Sequence, residues 1–311
     1  MPDASVPHHP GVLVTVGDLV EDVIVWSAGP VARYATDNAS VIYRRRGGSA
    51  ANVAAFASAL VPARFIGCVG DDPVADTLRA ELAGHGVDVR LQRRGRTGTI
   101  VVLVDGGGER TMYPDRAAAA ELAGVPTAWL DGAAFLHAPS YCFATEPAAT
   151  SVLELTRQAR LAGVPVSVDA SSTGMISELG LSRYLDLVAE LRPAVFFANA
   201  AEARLLDLTR RQFAQAVTVV KDGARSATVT RPGGGAQAVP VPPSPPARDS
   251  TGAGDAFAAG FLAALMRGAD PLDAAGAGHE LARSVLFSPG ATKPGSVIRQ
   301  TDVADEGAVN S

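Results

Sequence analysis

The chain has 311 residues, 47% hydrophobic and 19% charged, with 32 acidic against 27 basic side chains and a formal net charge of −5. That is enough apolar sequence for one large domain, and the mildly acidic balance excludes nucleic acid as a main partner. Two cysteines, Cys68 and Cys142, make no disulfide framework and no zinc-type Cys/His spacing, which suits a reducing, cytoplasmic setting. No apolar run is long enough to cross a bilayer, and the opening residues lack the apolar core of a secretory leader, so the expectation is a protein with no membrane partner.

In chain order, residues 1–10 read as a flexible tail. Gly11–Gly17 is a short apolar run ending in glycine, a buried parallel strand by type. Residues 23–26 and 39–46 read as two strands of a half-covered sheet. An Ala-rich helix follows Gly47-Gly48-Ser49-Ala50-Ala51-Asn52 and ends near Leu60. Ala63–Val69 is a strand and Pro73–Gly84 an amphipathic helix with proline at its start. Val87–Leu91 is a short strand. Residues 97–105 and 109–113 flank Gly106-Gly107-Gly108 and read as a hairpin that joins the strands at 23–46 in a small separate sheet.

From Ala133 onward strands and helices alternate: strands 133–138, 164–169, 194–198 and 216–220, a helix over 146–161, another from about Ala201, and a loop at Ser171–Gly174. Such alternation predicts an α/β fold with a doubly wound, mostly parallel sheet flanked by helices and ligands at the strand C-termini. Asp18, Asp169, Asn199 and Gly223 fall at those ends. Residues 224–240 read as an edge hairpin, 254–266 and 270–287 as helices, and the chain beyond about 302 as a second flexible tail. The domain therefore spans 11–300, with its small sheet built from about 20–46 and 97–114.

Two stretches carry the chemistry. In Asp249-Ser250-Thr251-Gly252-Ala253-Gly254-Asp255, three nearly side-chain-free residues lead into a helix. Backbone N–H groups and the positive end of the helix dipole there suit an anion, and Asp255 adds one carboxylate beside it. That pairing suits a base deprotonating an alcohol next to a phosphate. In the Gly47–Asn52 run, two glycines let the backbone approach a ligand, and Asn52 can both donate and accept. Read blandly, both are capped helix starts, with Asp249, Ser250 and Thr251 as ordinary capping residues.

Taken together, about two hundred residues apart, the Gly47–Asn52 run and the Asp249–Asp255 run resemble the paired signatures of the ribokinase (PfkB) family of carbohydrate and nucleoside kinases. The resemblance covers about residues 11–295. It implies a ribokinase-like fold whose small sheet is a lid over the sugar and a surface for a homodimer. It implies ATP-dependent phosphorylation of a primary hydroxyl, with Asp255 as base and Gly252, Ala253 and Gly254 as the anion hole. Asp22 would accept hydrogen bonds from vicinal hydroxyls, with Asp18 a second candidate and Gly47, Gly48 and Asn52 completing the substrate site. No P-loop is present, and the family's nucleotide set maps onto Asn199, Lys221 and Gly223, with Glu202 reaching Mg²⁺ through water. Asp249 and Thr251 match a monovalent-cation (K⁺) site whose other ligands fall near 287–296, where Ser288-Pro289 departs from the family pattern. After the strand at 133–138, Ala138-Pro139-Ser140-Tyr141 lacks the acid of ribose-specific members.

The reading is therefore a kinase of a small sugar. A nucleoside kinase is the alternative, with Val25, Ile100, Val102 and Met112 as candidates to pack against a base. A sugar-binding regulator without catalysis is a third reading, against which the intact Gly252–Asp255 loop argues.

Overall fold

The computed structural model describes residues 11–27, 29, 34, 37–104, 110–243 and 251–286. The main sheet has nine strands in the order β13-β12-β11-β10-β9-β8-β1-β4-β5. They are β1 (Val12–Val16), β4 (Ala63–Val69), β5 (Asp88–Arg93), β8 (Ala133–Pro139), β9 (Val166–Asp169), β10 (Val195–Asn199), β11 (Val217–Lys221), β12 (Ser226–Thr230) and β13 (Ala236–Pro240). All pairings are parallel except those of the edge hairpin, β11 with β12 and β12 with β13. From β1 the chain winds outward to β4 and β5, then returns to the other side of β1 with β8 and continues to β11. The direction of winding thus reverses beside β1, where doubly wound sheets open a ligand crevice.

Side chains alternate across this sheet. Leu13, Phe135, Phe197 and Val219 face one core, with α1 (Ser49–Ala57), α7 (Ala253–Met266) and α8 (Pro271–Val285). Val14, Val16, Leu136, Val168 and Phe196 face the other, with α3 (Ala148–Leu161) and α5 (Leu181–Leu191). Burial on both faces explains why these strands read as continuous apolar runs.

A second sheet, in the order β3-β2-β6-β7, stands apart: β2 (Val20–Ser27), β3 (Ser40–Gly47), β6 (Thr99–Val104) and β7 (Arg110–Asp115). This is the small sheet expected from the sequence. The glycine turn expected between its last two strands lies outside the described residues, as do the two tails.

The chain differs from its sequence reading in three places. Ser171–Gly174 is not simply a loop: Ser172 caps a short helix, α4 (Thr173–Leu179), its side chain accepting from the Met175 N–H at 3.3 Å. α5 follows directly and has a strong apolar stripe, with Tyr184, Val188 and Leu191 buried at 3- and 4-residue spacing. The helix expected from Glu146 begins at Ala148, because a residue preceding proline is disfavoured in helical conformation.

Candidate active site

α7 starts from Gly252 at φ 74°, a left-handed conformation that glycine adopts without a Cβ clash. The Ala256 N–H closes the first turn on the Gly252 carbonyl at 2.8 Å. The N–H groups of Ala253, Gly254 and Asp255 precede any intrahelical acceptor, so the dipole end is open to an anion. Gly254 is exposed, and a Cβ placed on it would come within 3.4 Å of Lys221 Nζ. A cation therefore stands beside the same helix start. From Ala256 to Met266 every residue of α7 is buried, so the helix start is anchored by the core behind it.

Asp255 lies on that first turn, half-buried. Its Oδ1 accepts from Ser49 Oγ at 2.7 Å and its Oδ2 from Asn52 Nδ2 at 2.9 Å. Both donors come from the first turn of α1, so the two sequence runs meet at one carboxylate. Burial holds the Asp255 carboxyl above its ordinary range; the Ser49 and Asn52 hydrogen bonds and Lys221 pull it down, and Asp169 pushes it up.

Asp22 projects from β2. A Cβ on Gly47 would sit 2.0 Å from Asp22 Oδ1, so only glycine leaves room for this carboxylate. Asp22 Oδ1 is buried without a hydrogen-bond partner. Burial raises its pKa to about 7, Arg46 opposing and Asp255 adding to the rise. An unpartnered buried acceptor is costly and awaits a donor such as a ligand hydroxyl. Gly48, at φ 101°, would place a Cβ 2.1 Å from the Asp18 carbonyl oxygen.

Asp18 itself is turned to protein: Arg116 Nη2 and Nε donate to its two oxygens at 2.6 and 2.8 Å. Asn52 is likewise held at both ends, its Oδ1 accepting from Arg46 Nη1 at 2.6 Å. Of the residues expected on the acceptor side, Asp22 is thus the one whose carboxylate keeps a free oxygen.

On the other side, Asn199 caps α6 (Ala200–Leu205). Its Oδ1 accepts from the N–H groups of Ala201 and Glu202, and its own N–H and Nδ2 donate to the two Glu202 oxygens at 2.7 Å each. The Asn-x-x-Glu spacing is therefore a reciprocal capping box. Glu202 is buried, and burial, then Asp169, raises its pKa to about 7. Lys221 Nζ bonds Asp169 Oδ2 at 2.6 Å and lies 5.6 Å from the centre of the Phe197 ring. Lys221 is thus a half-buried paired cation, not a solvated charge. Gly223 supplies the positive φ, 59°, of the turn leaving β11.

No group of three or more potential metal-binding side chains occurs among the described residues. Mg²⁺ in nucleotide sites keeps most of its waters and leans on phosphate oxygens. A single raised-pKa carboxylate, Glu202, beside the Asp169–Lys221 pair fits that outer role. Thr251 lies at the start of the α7 turn, whereas Asp249 and the stretch 287–296 lie outside the described residues.

Four neighbours of the site escaped the sequence reading as site residues: Ser49, Arg46, Arg116 and Asp169. Ser49 sits inside the Gly47–Asn52 run and Arg46 borders it, so a signal existed. Asp169 was visible only as a strand end. Arg116 had none, since its partner is 98 residues away.

Two glycine-lined helix starts facing one carboxylate, under a separate β-lid, define a kinase of the ribokinase fold. The pfkB family carbohydrate kinase model matches residues 12–297, and the chain belongs to that family. It is 34% identical over 235 residues to an ATP-dependent ribose-1-phosphate kinase of Halopiger xanaduensis, covering 72% of this chain and 74% of that protein. It is 32% identical to a fructokinase of Klebsiella pneumoniae (76% and 82% covered) and 29% identical to an adenosine kinase of Schizophyllum commune (76% and 78%). A probable sugar kinase from Rhizobium etli superposes with a TM-score of 0.81 at 23% identity, over 92% of this chain and 96% of that one.

Proposed function

We propose that this kinase transfers the γ-phosphoryl group of ATP to a primary hydroxyl of a small sugar. The observation that carries the reading is the placement of Asp255: one carboxylate on the first turn of α7, beside the Ala253 and Gly254 N–H groups that precede the first intrahelical bond. Asp255 accepts the hydroxyl proton, and the freed alkoxide attacks the γ-phosphorus of ATP held against the helix start, the bond from γ-phosphorus to the β-phosphate oxygen breaking as ADP leaves. Phosphoryl transfer needs little more than such positioning and neutralisation of charge. Asp22 accepts from hydroxyls of the bound sugar, and Gly47 and Gly48 leave room for it.

Lys221 meets the phosphates from beside Gly254, with Asn199 and Gly223 bordering the nucleotide. Glu202 holds waters of a Mg²⁺ ion, and Asp249 with Thr251 serves a monovalent cation such as K⁺. Bound Mg²⁺ supplies neutralisation of the nucleotide's negative charge. The exposed residues Ile42 and Tyr113, which share the face of the small sheet opposite Asp22, meet a second copy of the chain, and the protein acts in the cytoplasm.

A nucleoside acceptor is a second reading, favoured by the lid. Strand register puts Ile24, Tyr43, Ile100, Val102 and Met112 on the Asp22 face of the lid and Val25 on the opposite one. Trp26 and Tyr43 pack edge to face there, 6.3 Å apart. A planar base could lie against this apolar surface.

An ADP-release assay with ribose 1-phosphate, fructose, ribose and adenosine separates the readings. Turnover with a free sugar supports the first; turnover with adenosine alone replaces it with the second; and no ADP with any acceptor at saturating Mg²⁺ overturns both.

A further inference from the structure

We propose that Arg46, outside the acceptor contacts, is a positioning residue that sets the direction of the Asn52 amide and through it holds the catalytic carboxylate of Asp255. The inference rests on the reading of Asp255 as the general base.

Arg46 ends β3, and it is 4% exposed, unusual for an arginine. Its Nη1 donates to Asn52 Oδ1 at 2.6 Å, and Asn52 Nδ2 donates in turn to Asp255 Oδ2 at 2.9 Å. Its Nε faces Glu81 Oε1 of α2 (Pro73–Gly84) at 3.5 Å, an ion-pair contact rather than a hydrogen bond. The four side chains form a chain from the rim of α2 to the first turn of α7.

The chemistry of the middle link is what makes Arg46 matter. A primary amide has one accepting and one donating end, of nearly equal size. A guanidinium can only donate, so Arg46 selects the oxygen for itself and forces the NH₂ toward Asp255. Without it the amide can turn over and point its oxygen at the carboxylate, exchanging an attraction for a repulsion. Asp255 would then keep only the Ser49 hydroxyl as a fixed donor, and its free lone pair would lose its aim at the acceptor hydroxyl.

Charge adds to geometry. Asp255, Asp22 and Glu81 all act on Arg46, each favouring its charged form against the cost of burial. The charged or titratable groups facing Asp255 are Lys221 and Asp169 from the main sheet, Asp22 and Arg46 from the lid, and Tyr141 after β8. Removing the Arg46 cation leaves two carboxylates of the same cleft with one fewer positive neighbour, so the base holds its proton to higher pH.

The test is a kinetic cycle with Arg46→Met, Asn52→Ala, the double variant and Asp255→Asn, each checked for folding by thermal melting. The inference expects Arg46→Met to lower kcat about tenfold or more, to leave the KM for ATP within about twofold, and to move the acid limb of the kcat profile upward. The double variant is expected to lose little beyond Asn52→Ala, because the two residues act through one bond chain. If Arg46→Met fails to fold, Arg46→Lys takes its place: it retains the charge, but one ammonium cannot span Asn52 and Glu81, so kcat falls while the acid limb stays. An unchanged kcat in the folded arginine variant, or losses that multiply fully in the double variant, overturns the inference. Near wild-type turnover in Asp255→Asn overturns the underlying reading instead; an inactive Asp255→Asn with a normal Arg46→Met leaves that reading standing and removes only the role of Arg46.

Discussion

Asp255 and Asp22 are two neighbouring carboxylates held in opposite circumstances. Asp255 has a donor on each oxygen, so its orientation is set before substrate arrives. Replacing it by asparagine keeps the shape and removes the proposed base. Turnover is expected to fall by about 10²–10⁴ with the melting temperature nearly unchanged, and a steady-state assay beside a melting curve checks both. Asp22 has a buried oxygen with no donor at all. Its pKa is raised from 3.8 to about 7, so the folded protein binds its proton more tightly than the unfolded chain does. That contribution to stability is complete below about pH 4 and is lost as pH rises to 7. Asp22→Asn does not titrate. Relative to the native chain its stability should therefore gain by up to about 4 kcal/mol between pH 4 and pH 8, and its melting temperature by about 6 °C. Scanning calorimetry at the two pH values reads the gap directly, and a constant gap would refute the assignment. If Asp22 accepts from the sugar as proposed, the acceptor KM of the same variant should rise, since an amide has one accepting oxygen where the carboxylate has two.

At the scale of elements, α7 is the part whose packing positions the chemistry. It is Ala- and Gly-rich and buried all round, so it can lie close to both α1 and α8. A Cβ on Gly260 would meet the Ala277 carbonyl oxygen at 2.7 Å and Leu281 Cβ at 3.1 Å in α8. These neighbours are backbone and a short stem, which cannot swing aside. Gly260→Ala should force the two helices apart at a cost of about 2 kcal/mol, lowering the melting temperature by about 4 °C while kcat at 25 °C stays within about twofold. A melting temperature equal to that of the native chain would mean that the helices yield freely. The glycines at 47 and 48 differ in kind: they border Asp22 and the Asp18 carbonyl, so their absent side chains shape the cleft rather than the core.

At the scale of the whole molecule, a nine-stranded sheet carries a separate four-stranded sheet on which Asp22 lies. The small buried cluster of the lid itself is Ile24, Val102 and Val104, while Val41, Ile42, Met112 and Tyr113 are each more than half exposed. Val41 and Met112 share the Asp22 face and Ile42 and Tyr113 the opposite one, and exposed apolar residues on that outer face of a sheet of few strands favour a partner. Sedimentation equilibrium is expected to give a dimer for the native chain and a monomer for Ile42→Glu combined with Tyr113→Glu, two changes on the one face. A native monomer at micromolar concentration would end the dimer proposal.

The order of elements, the doubly wound sheet and the two helix starts were legible from local signals. Glycines mark where the backbone must turn or come close, proline marks helix entries, and continuous apolar runs mark strands covered on both faces. The place of Asp255 on the first turn of α7 was legible for the same reason, because its neighbours in sequence form that helix start. What only the tertiary structure decided was the partner of each polar side chain. Asp18 belongs to Arg116, Lys221 to Asp169, and Asn52 to both Arg46 and Asp255, pairs separated by up to 203 residues. A hydrogen bond forms between groups that meet in space. Which groups meet is set by how two cores pack on opposite faces of one sheet, and no local pattern in the chain records that.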